Sequence, residues 1–325
     1  MHKCTGEFED IEIEEIQTHR IWISFSAVVR KEVTDSMNQD KIKAALDRIE
    51  EGLSTINTDK DWLQYLCFQS RFYNYSFGNT MLIYMQNPNA SFVKGYRAWN
   101  ELARYVKKGS KGIAILAPCF RKAKDDENAE GREDCSGVDE MKKVISGFRI
   151  AYVYDIADTD GSDEYLPVLV KGISGNGATE KAVYEKLLRL ISCECSVQEV
   201  TGTASKGSYN LESGVICVNV DYDYMQKVKT LLHEYAHAMD FKMRPDMDIK
   251  KNVRELVAES VAFVVAKCLG FDTSCYSISY INSWLKDTEE LKSVAETIQK
   301  ISSGIINKIS ESEDKVNCTK EVQND

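Results

Sequence analysis

The chain lacks several features that would assign it to a protein class at once. None of the apolar runs in its 325 residues approaches the ~20 residues that a membrane-spanning helix needs. Acidic residues occupy the N-terminus where a secretory signal would carry an apolar core, so we expect a cytoplasmic protein. Its ten cysteines include no CxxC pair, and in a reducing compartment we expect free thiols.

Histidine is scarce as well, which makes its placement informative. The chain has four histidines, and two of them, His233 and His237, enclose Glu234 in an HExxH motif within a predicted helix. Histidines four residues apart lie on one helical face, where both imidazoles can converge on one zinc ion. Glu234 lies one position off that face and can accept a proton from a water molecule at the ion. This is the general-base role in zinc peptidases.

A third ligand is required, and no histidine follows His237 to supply it. The next predicted helix, residues 254–266, places Glu255 and Glu259 on an otherwise apolar face, where isolated carboxylates are rarely found. We interpret Glu255 as the third metal ligand and Glu259 as the group that orients a ligand histidine through its second ring nitrogen. The reverse assignment of the two acids stays open. Either way, the sequence predicts a His₂Glu zinc site with one position open to water.

Charge is distributed unevenly along the chain. The formal net charge of −10 by itself argues against nucleic-acid binding, but residues 60–124 carry a net charge of +9, from eleven basic and two acidic residues. The same segment is dense in aromatic residues. Cations that follow a phosphate backbone, interleaved with rings on which unpaired bases stack, are what single-stranded DNA binding requires.

From this segment we select eight candidate DNA-binding residues. They are Tyr75, Phe77, Lys94, Arg97, Trp99, Lys107, Lys108 and Lys111. For each of them the alternative is structural, with the rings in the core and the cations on a solvated face.

The apolar spacing predicts an α+β fold. Helices are expected at 40–56, 61–68, 79–85, 95–102, 182–191, 231–240, 254–266 and 289–309, and strands at 112–118, 148–156 and 214–220. We interpret residues 125–140 as a solvated loop, 158–161 as a turn and 171–177 as a linker. The strand at 214–220 directly precedes the HExxH helix, which would suit pairing with an extended substrate. Tyr280 could donate a hydrogen bond to a developing oxyanion, or could be a core tyrosine.

Two sets of motifs resemble ArdC-type antirestriction proteins. Residues 75–83, 93–99 and 106–113 resemble the single-stranded-DNA-binding N-terminal domain of that family, and residues 152–161 look like the close of that domain. The HExxH motif, with residues 255–259 and 280–284, is similar to the C-terminal peptidase domain of the family, which belongs with the ImmA/IrrE-like zincins. Residues 1–36 and 125–140 have no counterpart in the pattern.

The resemblance implies a domain organisation and a function. We expect an extension of unknown role at 1–36, a DNA-binding domain at 37–170, a zincin-like metallopeptidase domain at 171–310 and a disordered tail at 311–325. It also implies carriage on a mobile genetic element, protection of incoming DNA from restriction, and zinc-dependent hydrolysis of an unidentified protein. The alternative hypothesis is a protein that coats single-stranded DNA and whose zinc site is structural or regulatory.

Overall fold

The computed structural model describes residues 36–122, 143–166, 180–245, 247–271 and 288–321. Contacts group the chain into two units: the first contains Met1–Ala45 and Leu116–Ala151, and the second contains Leu46–Ile115 and Tyr152–Asp325. Within the described ranges, none of the helices is both long and apolar enough to cross a membrane. The predicted loop at 125–140, the linker at 171–177 with the domain boundary beside it, and Tyr280 lie outside the described residues.

Among the described residues, three helices precede the first strand. They are α1 (Ser36–Thr55), α2 (Asp59–Gln69) and α3 (Phe77–Gln86). Thr58 and Asp61 form a capping box at the start of α2, because each side chain accepts a hydrogen bond from the backbone N–H of the other. Ser76 caps α3, which ends before Pro88 as the sequence predicts.

Short strands and one short helix follow. They are β1 (Val93–Gly95), α4 (Tyr96–Glu101), β2 (Arg104–Val106), β3 (Ile113–Lys122), β4 (Lys143–Asp155) and β5 (Thr159–Gly161). Strand order in the first sheet is β1-β4-β3, and β2 pairs with β5 in a second, two-stranded sheet. The prediction of a turn at 158–161 is therefore wrong, since antiparallel pairing with β2 turns this segment into a strand. Asp155, which is buried at the end of β4 just before this segment, accepts hydrogen bonds from the backbone N–H groups of Ser91 and Phe92 and so fixes the position of the chain there.

In the described part of its C-terminal half, the chain adds a third sheet and the longest of the described helices, which has 34 residues. Its elements are α5 (Glu180–Ser192), β6 (Ser196–Val200), β7 (Gly207–Asn210), β8 (Val215–Asn219), α6 (Tyr224–Met243), α7 (Lys251–Cys268) and α8 (Thr288–Glu321). The sheet has the order β6-β8-β7, with β8 parallel to β6 and antiparallel to β7. The predicted strand at 214–220 is thus central and has no edge for a substrate, whereas β7 lies at the edge of the described sheet.

Helices from both ends of the chain share the core of the second unit. The Trp62 indole N–H of α2 donates to the Ser260 hydroxyl of α7 at 3.1 Å, and both residues are fully buried. The Gln299 amide of α8 donates to the Tyr73 carbonyl at 2.7 Å. Helix α7 itself packs against α2, α6 and α8, which is why its sequence is apolar on nearly every face.

The last helix is longer than predicted. Helix α8 continues to Glu321, where the sequence predicted a disordered tail from residue 311. After Gly304 the sequence to residue 321 contains neither glycine nor proline, so nothing in it breaks a helix that is already nucleated.

Candidate metal centre

Helix α6 places two histidines on one face. Asp223 caps the helix by accepting a hydrogen bond from the Gln226 N–H at 2.8 Å, and this sets the phase of the turns that follow. Further along, the Nε2 atoms of His233 and His237 point toward each other and lie 3.1 Å apart. Both side chains are largely buried, with 20% and 12% of their surface exposed.

Helix α7 supplies the third donor. The Glu255 carboxylate oxygen Oε2 lies 3.4 Å from His233 Nε2 and 3.6 Å from His237 Nε2. In a tetrahedral zinc site with 2.0–2.1 Å bonds, two ligand atoms are separated by about 3.3 Å, so this donor set fits a tetrahedral divalent ion. Glu255 retains 40% exposure, which leaves the centre open on the carboxylate side. Among the described residues, this is the group that could hold a metal.

A relay of polar contacts extends behind His233. Its Nδ1 lies 3.1 Å from the Glu259 carboxylate, and the other oxygen of Glu259 pairs with Lys229 Nζ at 2.6 Å. The structure thus places Glu259 behind His233 and brings the Glu255 carboxylate to the two imidazoles, while their roles as orienting group and metal ligand stay predictions. Lys229 was missed, although it lies four residues before His233 on the same helical face.

A buried ionic cluster locks α7 onto α6. Asp240, one turn beyond the HExxH motif and 1% exposed, pairs with Arg244 on its own helix and with Arg254 of α7 at 2.8 Å. The Arg254 guanidinium also stacks over the Phe241 ring, 3.9 Å from its centroid. Because Glu255 is the next residue, this cluster fixes the register that brings its carboxylate to the histidines.

Glu234 lies against strand β7. It is 9% exposed, and its side chain accepts a hydrogen bond from the backbone N–H of Tyr209. Gly207 of β7 is packed so closely that an added Cβ would lie 2.3 Å from Thr230 Cγ2 and 3.4 Å from Glu234 Cγ. An edge strand, a carboxylate and the three donors therefore meet at one place.

Burial and mutual contact set the protonation of these groups. Burial disfavours a charged His233, but hydrogen bonds to Glu255 and Glu259 outweigh it and raise its pKa to about 9. Burial and the neighbouring His233 lower the pKa of His237, while the hydrogen bond from His233 lowers the pKa of Glu255. Burial raises the pKa of Glu234, which moves this carboxyl toward the range of a general base.

Two predicted base-stacking residues prove to be core residues. Phe77 is 3% exposed, and Trp99 is fully buried with its indole N–H donating to the Tyr154 carbonyl at 2.9 Å. Neither ring has a face for a base, so these two assignments are wrong. Tyr75 is partly buried and its hydroxyl donates to the Val93 carbonyl at 3.0 Å, which gives this ring a structural role.

The predicted cations remain accessible, and other rings accompany them. Arg97, Lys107, Lys108 and Lys111 are exposed, and Lys94 is half-buried with its ammonium over the Phe92 ring. Lys107 also pairs with Asp160 at 3.4 Å. The exposed rings near them in sequence are Tyr96, Tyr105 and Tyr152, which are 55%, 61% and 53% exposed. Tyr96 and Tyr105 belong to the aromatic-rich segment noted in the sequence, but they were not selected as DNA-binding candidates. The density of aromatic residues does not show which rings are exposed.

Part of the chain is similar to a known protein family. Residues 29–154 match the family described as the N-terminal domain of anti-restriction factor ArdC, which confirms the resemblance of residues 75–113. The match also includes residues 29–36 and 125–140, for which the sequence predicted no counterpart. An uncharacterized protein of Bacillus anthracis, pXO2-81, is 22% identical over 308 residues, covering 85% of this chain and 52% of the relative. The chain therefore spans about half the length of that curated relative.

The fold was also compared with solved structures. The metal-free crystal structure of antirestriction protein ArdC from the R388 plasmid is 20% identical, with a TM-score of 0.45 over 73% of this chain and 86% of that one. Its Mn(II)-bound structure is 18% identical, with a TM-score of 0.47 over 82% of this chain and 97% of that one.

Proposed function

We propose that this protein is a divalent-metal-dependent peptidase, with zinc as its ion, that also binds single-stranded DNA. The observation that carries the peptidase proposal is the convergence of His233, His237 and Glu255 within tetrahedral ligand spacing, with buried Glu234 beside them. Two imidazoles and one carboxylate leave a coordination position open, as catalytic zinc sites do and closed structural sites do not.

The chain's own residues then account for the steps of hydrolysis. When bound, a divalent ion acts as a Lewis acid that polarises the peptide carbonyl and acidifies a water molecule. Glu234 accepts the proton of the attacking water and delivers it to the leaving amine. Glu259 holds the His233 ring by its Nδ1 atom, so that Nε2 faces His237 Nε2 and the Glu255 carboxylate, the groups that would hold the ion with it.

Strand β7 is the element that can align a peptide substrate. It borders the Glu234 carboxylate and has an edge directed away from β8 within the described sheet. An extended peptide can add to such an edge through main-chain hydrogen bonds. This replaces the role that the sequence assigned to the strand at 214–220.

The DNA-binding proposal depends on the exposed cations and tyrosines of residues 94–111 and on the family match over 29–154. Cations supply the salt-dependent attraction to phosphates, and exposed rings supply sequence-tolerant stacking. The family description further supports an antirestriction role, and we extend this to protection of incoming DNA carried by a mobile genetic element.

A Glu234→Gln variant tests the peptidase proposal. We expect wild-type protein to bind one zinc ion per chain and to cleave members of a peptide library, read by mass spectrometry. Glu234→Gln should bind the same amount of zinc but lose cleavage by about 10²-fold or more, since a general base contributes about 10²–10⁴-fold. Undiminished cleavage by this variant would remove Glu234 from the mechanism.

The second candidate is a protein that coats single-stranded DNA without catalysis. The accessible cations and tyrosines favour it independently of the metal centre. A folded His233→Ala, His237→Ala variant that retains full antirestriction activity in cells would support this candidate, whereas loss of that activity would tie protection to the metal centre.

A further inference from the structure

A cavity of about 710 Å³ lies in the second unit, away from the metal centre. Its polar lining comprises Arg48, Glu51, Asn87, Lys111, Tyr152 and Asp158. We propose that this cavity holds one nucleotide of a bound DNA strand, with the base against Tyr152 and the phosphodiester at Arg48 and Lys111. The inference rests on the DNA binding proposed above and adds a defined site to it.

The frame of the cavity is preformed. The loop that carries Lys111 is fastened to Asp158, whose carbonyl accepts hydrogen bonds from the Lys107 N–H at 2.9 Å and the Ser110 hydroxyl at 3.3 Å. On the other side, the Gln86 amide donates to the Ala114 carbonyl at 2.9 Å and accepts from its N–H at 3.0 Å. A ligand would therefore meet fixed walls and lose little affinity to ordering them.

The charged side chains around the cavity indicate which class of ligand it can bind. Within the described ranges, no salt bridge engages Arg48, Glu51, Lys111 or the Asp158 carboxylate. The two cations can pair with one phosphodiester, whereas the two carboxylates would repel the further charges of a polyphosphate. Carboxylates also accept hydrogen bonds from the amino group of a base. One nucleotide within a strand fits this balance better than a nucleoside triphosphate does.

A line of tyrosine rings connects the cavity with the exposed surface. Tyr152 and Tyr154 lie two residues apart on β4 and so share one face of the strand. Both lie over Gly112, where an added Cβ would be 3.1 Å from Tyr152 Cβ and 3.3 Å from Tyr154 Cζ. The Tyr154 ring contacts the exposed Tyr96 ring, with centroids 6.5 Å apart. A strand that stacks along Tyr96 is thereby led to Tyr152 and the cavity.

The same charges could serve a free amino acid, which also carries one anionic and one cationic group. The line of tyrosine rings favours a DNA strand over a free amino acid, because an amino acid is too small to contact the aromatic rings that continue out of the cavity. The two ligands are separated by experiment.

The test measures binding of a fluorescent single strand of about 12 nucleotides by anisotropy over a range of salt concentrations. Tyr152→Leu and Arg48→Ala should each weaken binding by about tenfold, as the loss of one stacked base or one phosphate contact predicts. Tyr152→Phe keeps the ring and should bind as wild type does. Only Arg48→Ala should lower the slope of log K against log salt, by about 0.7. Arg189→Ala, an exposed arginine on α5 that does not line the cavity, is the matched charge control.

The outcomes of this experiment distinguish failure of the cavity proposal from failure of the DNA-binding proposal on which it rests. Wild-type protein that does not bind the strand would overturn DNA binding altogether. Strand binding that Tyr152→Leu and Arg48→Ala leave unchanged would overturn the cavity proposal alone, and DNA binding at the exposed surface would stand. Calorimetric uptake of a free amino acid that Arg48→Ala abolishes, with strand binding unaffected, would overturn the nucleotide in favour of that ligand.

Discussion

Single side chains behind the proposed metal ligands should decide how well these ligands are held. Lys229 and Glu259 are 22% and 19% exposed and lie 2.6 Å apart, and Glu259 in turn contacts His233. Outer contacts of this kind typically change metal affinity by about 10–100-fold when removed. Lys229 is therefore a positioning residue, which acts on the ion through two other side chains.

Replacing Lys229 tests this relay. Lys229→Met should weaken zinc affinity by about tenfold, because Glu259 loses the partner that holds it at His233. Competition with a chromophoric chelator measures the affinity. Lys229→Arg retains the charge and should restore most of it, whereas equal affinity in Lys229→Met and wild type would show that Glu259 is held without Lys229.

The protonation of His233 predicts how metal uptake depends on pH. Its pKa of about 9 means that the metal-free side chain carries a proton at neutral pH, and zinc binds only the neutral imidazole. Uptake should therefore release a proton at pH 7, and apparent affinity should rise with pH until about 9. Calorimetry in buffers of different ionisation enthalpy counts the released protons. Glu259→Gln removes one cause of the raised pKa and should reduce the release; unchanged release would assign it to another group.

For single residues, the sequence predicted those features that depend only on the spacing of residues along one helix. The interval from His233 to His237 and the pair of acids on α7 predicted which side chains come together, and the assignment of Glu255 as ligand and Glu259 as supporting residue stays a prediction. Burial of Phe77 and Trp99 was not predictable, because their neighbours come from other elements and sequence density does not show which face of an element is covered.

At the scale of elements, β7 packs tightly against α6 at Gly207. Gly207 leaves no room for a side chain, since an added Cβ would also lie 2.8 Å from the Cys217 carbonyl oxygen of the neighbouring strand. A methyl group here must move β7 away from α6, and Glu234 loses the strand that borders it.

Gly207→Ala should therefore reduce peptide cleavage while zinc binding is retained. Overpacking of this kind costs about 1–3 kcal/mol of unfolding free energy, measurable by urea denaturation. Gly304→Ala provides a control of opposite sign, because this glycine in helix α8 has nothing within 4 Å of an added Cβ. It should stabilise the protein by up to about 1 kcal/mol. Full cleavage activity in Gly207→Ala would show that β7 does not align the substrate.

The ionic cluster between α6 and α7 gives a second prediction for elements. Asp240→Asn leaves Arg244 and Arg254, which are 6% and 7% exposed, without their buried counter-charge. Such uncompensated charges cost about 3–5 kcal/mol, so urea denaturation should show a large loss of stability. Zinc affinity should fall as well, because Glu255 follows Arg254 directly. Unaltered zinc affinity in a destabilised variant would show that the helix register does not depend on this cluster.

Helices and strands were predictable where their apolar pattern is strong. The elements that they pair with or pack against were not predictable. The helices were predicted from apolar spacing. The cap of α2 was expected at Asp59 or Asp61, whereas the structure places it at Thr58, with Asp61 as its partner in the capping box. The role given to the strand at 214–220 failed because strand order is a property of the assembled sheet, and β7, with four residues, carries too short a pattern to identify. Likewise the Asp-Thr-Asp-Gly run at 158–161 has the composition of a turn, but pairing with β2 determines its conformation.

On the scale of the whole molecule, α7 carries a proposed metal ligand on one face and contacts α2, from the N-terminal part of the chain, on another. Trp62 of α2 bonds Ser260 of α7, and Glu255 lies on that same helix. Because these groups share one core, residues 46–115 of the second unit should be stabilised whenever a metal stabilises α7. The parts of the chain proposed to bind DNA and metal would then be linked through stability.

Hydrogen exchange followed by mass spectrometry tests this linkage. Zinc at about 100 times its dissociation constant stabilises the folded state by about 2.7 kcal/mol, and amides that exchange by global unfolding should slow accordingly. We expect this slowing in α2 as well as in α6 and α7. Glu255→Ala, which removes a ligand at a 40% exposed position, should abolish the slowing in all three helices. Protection by zinc of α6 and α7 alone would show that the N-terminal helices unfold independently, and the two proposed activities would then have no common stability through which to influence each other.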